Sequence, residues 1–306
     1  MLEPKGPGAA RIEVLWWPML WISTVVFVVV CAMLLWAILR GRRSTDELDH
    51  SEVSWGDRFV VISGVIIPAL ILVGVFVFSL REMRNLALAD DDAELEIEVI
   101  GRDWWWEVRY PNGAVTANEI HIPVGEPVRL KLNSADVIHS FWVPELQAKT
   151  DMIPGTETTT WLHADEPGRY RGQCAEFCGL QHSKMAFYVV AEERDAFEEW
   201  VDHEAEPMAT QLTRTILFSE GQDIFLNSSC VGCHAIRGTE ATATDGPDLT
   251  HLMNRDIIGG FFGNTPQNLR QFVRNPHALK RGVFMPPADL DDDELDALIE
   301  YLGNLD

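Results

Sequence analysis

Positive charge is scarce in this chain of 306 residues: 24 lysines and arginines face 47 aspartates and glutamates, a net charge of −23. That balance argues against a nucleic-acid partner, which needs a basic surface. Charge of either sign is missing altogether from two stretches. Leu15–Leu39 runs for 25 residues and Phe59–Leu80 for 22 without an ionisable carboxylate, lysine or arginine. A helix of the first length spans roughly 37 Å, more than the ~30 Å hydrocarbon core of a bilayer. Both runs are therefore expected to cross a membrane. A small-residue cleavage site is lacking after the first run, and it exceeds a signal-peptide core in length, so it reads as an anchor. Cysteine is sparse as well, with five residues. Cys31 follows bulky Val30 inside the first run and reads as a small apolar helix residue, not a lipid acceptor.

The remaining composition is that of folded domains. Hydrophobic residues are 47% and charged residues 23%, which supplies a core and argues against disorder. The mean hydropathy of −0.02 hides the two apolar runs. Charge is uneven: residues 1–85 hold equal numbers of acids and bases, and the whole excess of acid lies behind them. A neutral front with an acidic rear suggests an anchor carrying water-exposed domains. Arg40, Arg42, Arg43 and Arg58 crowd the loop between the runs, against Lys5 and Arg11 before them and Arg81 and Arg84 after. The positive-inside rule puts the loop inside and both termini outside. Trp16, Trp17 and Trp21 stand at the outer end as an aromatic belt would, and Pro68 is expected to kink the second helix.

Residues 95–191 change period. Leu95–Ile100, Glu119–Ile122, Val128–Leu132, Thr158–Leu162 and Ala186–Ala191 have strand composition, with Gly and Pro between them. This predicts a small all-β sandwich or barrel. Near its end Cys174, Cys178, His182 and Met185 crowd into twelve residues. A plain disulfide leaves the His and Met unexplained, and zinc rarely recruits a thioether. Thiolate, thioether and imidazole together suit copper. One more imidazole would complete a two-copper site. His139 is the candidate, read as following a strand and opening a loop.

A second cluster follows an acidic stretch, 192–206, expected to be a helix and a linker. Cys230-Val-Gly-Cys233-His234 is the c-type haem attachment string: two thiols for thioethers and an imidazole for iron. A thioredoxin-like redox pair would need a βαβ setting, which is missing. Leu217–Asn227 reads as a helix leading into the motif. Met285, 51 residues beyond His234 and followed by two prolines, is favoured as the sixth ligand over Met253, 19 residues beyond. Asp291–Leu302 has the i, i+3, i+4, i+7 spacing of a closing helix. His50, His121, His163, His203, His251 and His277 match no pattern and read as surface or structural residues.

The strings DWWWEVRYP, HSFWVP, KTDMIPG and PGRYRGQCAEFCGLQH, in that order behind a two-helix hairpin, resemble subunit II of haem–copper cytochrome c oxidases. The helix, the haem string, Gly246-Pro247-Asp248-Leu249, the methionine loop and the final helix resemble a class I cytochrome c. The fusion is similar to the caa3-type oxidases of bacteria. The resemblance implies a multidomain membrane protein in three parts. Residues 1–90 form the N-terminal segment and transmembrane hairpin (helices about 15–39 and 59–80). Residues 91–206 form a cupredoxin-like all-β domain with a binuclear CuA centre, and residues 207–306 an all-α cytochrome c domain with covalent haem c.

Carried over by position, Cys174 and Cys178 bridge the coppers, and His139 and His182 bind one each. Met185 and the Glu176 carbonyl are weak ligands, and the Glu176 side chain meets a magnesium ion at the subunit I interface. Cys230 and Cys233 hold the haem, with His234 and Met285 as axial ligands and the Pro247 carbonyl accepting a bond from His234. Trp104 lies where electrons reach the copper.

The implied function is electron acceptance for a proton-pumping oxidase in the bacterial inner membrane, with the CuA and cytochrome domains on the outer side. Electrons pass from a cytochrome c or similar donor to haem c, CuA and then haem a in subunit I, which also carries haem a3 and CuB; subunit III is a further partner. The alternatives are the CuA subunit of another reductase, such as one for nitric oxide, or a free-standing membrane-anchored shuttle or copper carrier. Relatives carry a Glu near the inner end of the second helix. Alignment on Pro68 puts Val61 there, with Asp57 or Ser63 as substitutes. The acidic surface reads equally as attraction to a basic donor and as adaptation for solubility or salt.

Overall fold

The computed structural model describes residues 3–41, 55–87, 93–208 and 216–306. Arg42, Arg43, His50 and the linker positions 209–213 lie outside the described residues.

Residues 10–89 form one compact unit, built on two apolar helices. The first helix, α1, is Pro7–Gly41. The second begins as α2, Trp55–Val61, passes through a π-helical turn at Ile62–Ile66, and continues as α3, Ile67–Ala87. Mean hydropathy reaches 2.8 and 2.9 over their most apolar windows, and none of either window is covered by protein. Water would penalise such bare apolar surface heavily; lipid does not. The π turn explains how Pro68 is tolerated. Proline lacks the N–H for an i→i−4 bond and clashes with the carbonyl there. Widening the turn, with Ile67 N–H bonded to the Ile62 carbonyl, relieves the clash. Ser63, in that turn, donates its hydroxyl to the Phe59 carbonyl at 2.6 Å.

The second unit comprises residues 1–9 and 90–306. Its front is a sandwich of two five-stranded sheets. One has the order β3-β2-β1-β5-β8, from Leu95–Arg102 (β1), Trp105–Arg109 (β2), Val115–Ala117 (β3), Val128–Ser134 (β5) and Thr158–Leu162 (β8). The other has the order β4-β10-β9-β6-β7, from Glu119–Pro123 (β4), His139–Trp142 (β6), Thr150–Met152 (β7), Gly168–Cys174 (β9) and Ala186–Glu192 (β10). Strand β5 shows why the layers form. Val128, Leu130 and Leu132 are buried while Arg129 and Lys131 face outward, a period of two. Trp106 fills the centre, edge-on to Phe141 and tilted against Phe187. Before the sandwich, Lys5 and Ala9 donate backbone N–H groups to the carbonyls of Glu145 and Leu146.

The expected cupredoxin-like layout is present, but one local expectation is corrected. His139 does not follow a strand and open a loop. It ends the bend 135–138 and opens β6, because Ser134 and Asp136 fold that bend back with side-chain bonds to the backbone at Val137.

The rear is helical. Arg194–Ala205 (α4) closes the sandwich, Ile216–Asn227 (α5), Pro266–Arg274 (α6) and Asp292–Leu302 (α8) build the second core, and the short Pro276–Leu279 (α7) follows α6. Helices α5 and α8 cross at Gly221, where a Cβ would lie 2.0 Å from the Ala297 carbonyl oxygen. Two β-turn strands, Ile257–Ile258 (β11) and Phe262–Gly263 (β12), pair beside them. Helix α8 starts with a full capping box: Asp291 accepts from Glu294 N–H at 2.9 Å, and the Glu294 carboxylate accepts from Asp291 N–H at 3.0 Å.

Replacing Asp291 with Ala removes the side-chain acceptor of the Glu294 N–H and leaves the backbone N–H of residue 291 to bond Glu294. The expected loss is about 1 kcal/mol of helical-domain stability, read as a lower midpoint in denaturant unfolding; an unchanged midpoint would show that the box contributes nothing.

Candidate functional site

Strand β9 ends at Cys174, and the chain then turns through Cys178 and a short 3-10 turn at His182–Lys184 before re-entering the sandwich at β10. That return brings five side chains to one end of the sandwich. The sulfurs of Cys174 and Cys178 are 3.7 Å apart and unbridged. His139 Nδ1 lies 3.9 Å from the Cys174 sulfur, His182 Nδ1 3.7 Å from the Cys178 sulfur, and the Met185 thioether 3.7 Å from the same sulfur. The Glu176 carbonyl points inward, 3.1 Å from the Cys174 sulfur, while its carboxylate is exposed. His139 is fully buried.

Protonation is tuned by these neighbours. The bond shared with Cys178, helped by His139, outweighs burial and pulls Cys174 down to about 3; the proton stays on Cys178, which is raised. Burial would lower His139, but Asp136 and the Cys174 sulfur lift it to about 9. Asp136 Oδ1 sits 2.7 Å from His139 Nε2, and its carboxylate also accepts from the amides of Val137 and Asp103. This orienting carboxylate was missed by sequence reasoning, although the Asp-x-x-His spacing in the strand-entry bend was a signal. It leaves Nδ1 facing the sulfurs. Soft sulfur, imidazole and a buried setting fit copper, whose uptake must displace the protons held by Cys178 and His139.

The second cluster opens after α5. The Ser228 hydroxyl accepts from Cys230 N–H, starting the tight turn of Cys230–His234. Cys230, Cys233, His234 and Met285 line one cavity of about 440 Å3, walled mainly by apolar side chains such as Phe225, Phe272 and Leu298. Met253 is not among its lining residues and packs beside the helical core instead. His234 Nδ1 donates to the Pro247 carbonyl at 2.8 Å, which leaves Nε2 free. Burial lowers the His234 pKa, favouring the neutral ring a metal needs. Gly246 makes the approach feasible, since a Cβ there would lie 2.7 Å from His234 Cε1. An apolar cleft with two thiols, an imidazole and a thioether fits a covalent haem.

Trp104 belongs to both places. Its indole N–H donates to the Cys178 carbonyl at 2.8 Å, and its side chain lines the helical-domain cavity together with Asp103 and Trp105. Trp106, two residues on, is core.

Comparison with known proteins agrees with this division. Residues 113–192 match the family described as cytochrome c oxidase subunit II, periplasmic domain, and residues 218–306 match cytochrome c. The chain is 36% identical to cytochrome c oxidase subunit 2 of Alkalihalophilus pseudofirmus, covering 99% of this chain and 90% of that one. It belongs to the cytochrome c oxidase subunit II family. The subunit 2 of Bacillus sp. strain PS3 is 30% identical, over 86% of this chain and 79% of its own, and that of Bacillus subtilis 29% identical, over 93% and 86%. The subunit II domain implies CuA copper, and the cytochrome c domain implies haem c. Fused domains of these two kinds fit the caa3 type.

Two of the remaining histidines, His121 and His251, do structural work. His121 stacks on Trp200 at 3.7 Å and bonds Glu192, and His251 bonds the Glu206 carbonyl.

Replacing Met285 with Ala is expected to lower the haem midpoint potential, since thioether ligation raises it. Met253→Ala should leave the potential unchanged; a drop there instead would move the axial ligand to Met253.

Proposed function

We propose that this chain is the electron-accepting subunit of a proton-pumping terminal cytochrome c oxidase. A cytochrome c or similar donor reduces its haem c, and the electron passes by way of CuA to haem a in subunit I, where oxygen becomes water. The observation that carries this reading is Trp104, which walls the apolar cavity lined by Cys230, Cys233, His234 and Met285 and bonds the backbone of Cys178 through one side chain.

When bound, the copper pair and the haem supply one-electron acceptors, while the residues of this chain fix where and how those acceptors sit. In this reading Cys174, Cys178, His139, His182, Met185 and the Glu176 carbonyl would hold the copper pair, which would supply one-electron transfer there. Asp136 orients His139, and the stiff β scaffold limits movement when charge changes. Cys230 and Cys233 would anchor the haem and His234 and Met285 would hold its iron, while Pro247 fixes the His234 ring. Trp104 is the point at which electrons reach the copper domain. The exposed Glu176 carboxylate is free to meet a magnesium ion whose other ligands come from subunit I. Subunit III completes the assembly.

The reading also assigns domain limits at 90/91 and 206/207. It makes the hairpin a two-pass anchor in the bacterial inner membrane with both soluble domains outside, supported by the arginines at 40, 42, 43 and 58. Val61 offers no proton at the inner end of the second helix, so Asp57, or a group from another subunit, would serve the proton path. Ser63 is tied to the Phe59 carbonyl and is the poorer substitute.

Purifying the complex through this chain and assaying oxygen consumption with reduced cytochrome c tests the proposal. Turnover with haem a in the preparation is expected; a partner that reduces nitric oxide, or no catalytic partner, would refute it. In the same complex, His182→Asn should abolish the near-infrared copper band and spare the haem c spectrum. An unchanged band would remove His182 from the ligand set.

A further inference from the structure

Lys280 is 2% exposed, and no carboxylate pairs with it among the ion pairs of the described residues. Its ammonium donates at 2.7 Å to the Gly259 carbonyl of its own helical domain and at 2.6 Å to the Trp104 carbonyl of the β domain. Burial and the nearby Lys184 ammonium pull its pKa down to about 7. An ammonium held inside without a counter-ion is costly unless its donors are used. An apolar residue of similar length would fill the same space at lower cost, so packing alone does not account for a lysine.

Its chain neighbours point the same way. The Lys184 ammonium donates to the Leu279 carbonyl at 2.9 Å, and the Gln181 side-chain amide donates to the Arg281 carbonyl. Three consecutive residues, 279–281, are thus each tied to the β domain. Two of their partners, Gln181 and Lys184, flank His182 in the copper loop, and the third is Trp104. Both ammonium groups also lie near the Phe261 ring, at 5.0 Å for Lys184 and 6.0 Å for Lys280, which offsets part of their desolvation. Five residues further on stands Met285. The segment that carries the haem-side methionine is therefore latched to the loop that carries the copper-side ligands.

We propose that Lys280 is a positioning residue that locks the cytochrome domain onto the Trp104 face of the copper domain and so sets the rate of haem-to-copper electron transfer within the chain. This rests on the electron-accepting reading above. A tether alone would keep the two domains near each other at high effective concentration but leave their facing surfaces free to vary. The latch removes that freedom: transfer becomes a step within one fixed geometry, and the Trp104 face is closed to outside donors, which must deliver to the haem.

The test uses the complete oxidase complex with Lys280→Met, which keeps the stem and removes the donors. Haem c is photoreduced and the appearance of the reduced copper centre is followed in time. Loss of a charge-assisted hydrogen bond is expected to cut the docked fraction and the rate about tenfold, and to make the rate depend on solvent viscosity. Haem c absorbance, haem midpoint, copper content and the near-infrared band should all stay as in the parent. A parent-like rate without viscosity dependence overturns the proposal, as does a slow rate that tracks a shifted haem midpoint, because Lys280 would then act on the haem itself. If Lys280→Met loses its haem spectrum, Lys184→Ala carries the test from the copper-domain side: a slower, viscosity-dependent rate supports the latch, and an unchanged one overturns it. If photoreduced haem c fails to reduce copper in the parent complex, the electron-accepting reading falls, and the proposal with it.

Discussion

One hydrogen bond, from the Trp104 indole to the Cys178 carbonyl, joins the two ends of this molecule's chemistry. The indole faces the cavity of the helical domain on one side and the backbone of a buried thiol on the other. For that contact to persist, the sandwich must hold β1 and β2 beside the 174–185 loop, and the helical domain must keep its cavity against Trp104. The fully buried Trp106 and Phe141 secure the first condition. The contacts of residues 279–281 secure the second. Most other parts of the fold serve one of these two requirements.

The soft-donor cage shows how placement becomes chemistry. Cys174, Cys178 and His139 approach one another closely because a strand end, a loop and a strand start converge on one end of the sandwich. Their charges are set by each other: one thiolate, one thiol and one protonated ring in place of three unperturbed groups. Asp136 supports the arrangement from behind, and its own carboxyl is held low by His139 and two backbone amides against the cost of burial. Such a cage is poised for a soft metal and poorly suited to staying empty of one.

Much of this was legible in the residues. The two charge-free runs read as spanning helices because length and apolarity leave few alternatives. Strands β5, β8 and β10 declared themselves by strand-like composition between Gly and Pro, and the closing helix by its periodicity and acidic start. Cys230–His234 and the 174–185 string are local in sequence, so their spacing carried their chemistry. What was not legible depends on tertiary contact. The short strands β3 and β7 have too few residues for a period. His139 was assigned the wrong local setting, since the bend before it is held by side-chain bonds that composition does not reveal. Asp136 becomes significant only once its ring partner is placed. Nothing in the local sequence marks Lys280, and its burial against Trp104 connects residues 176 positions apart. Met285 and Met253 were separable by argument, and the cavity lining now distinguishes them further.

The most direct measurement is metal analysis of the purified complex combined with electron paramagnetic resonance of its copper. The account predicts a copper pair sharing one unpaired spin alongside haem iron in this chain. Iron without copper, or Cys174 and Cys178 joined in a disulfide, would contradict it.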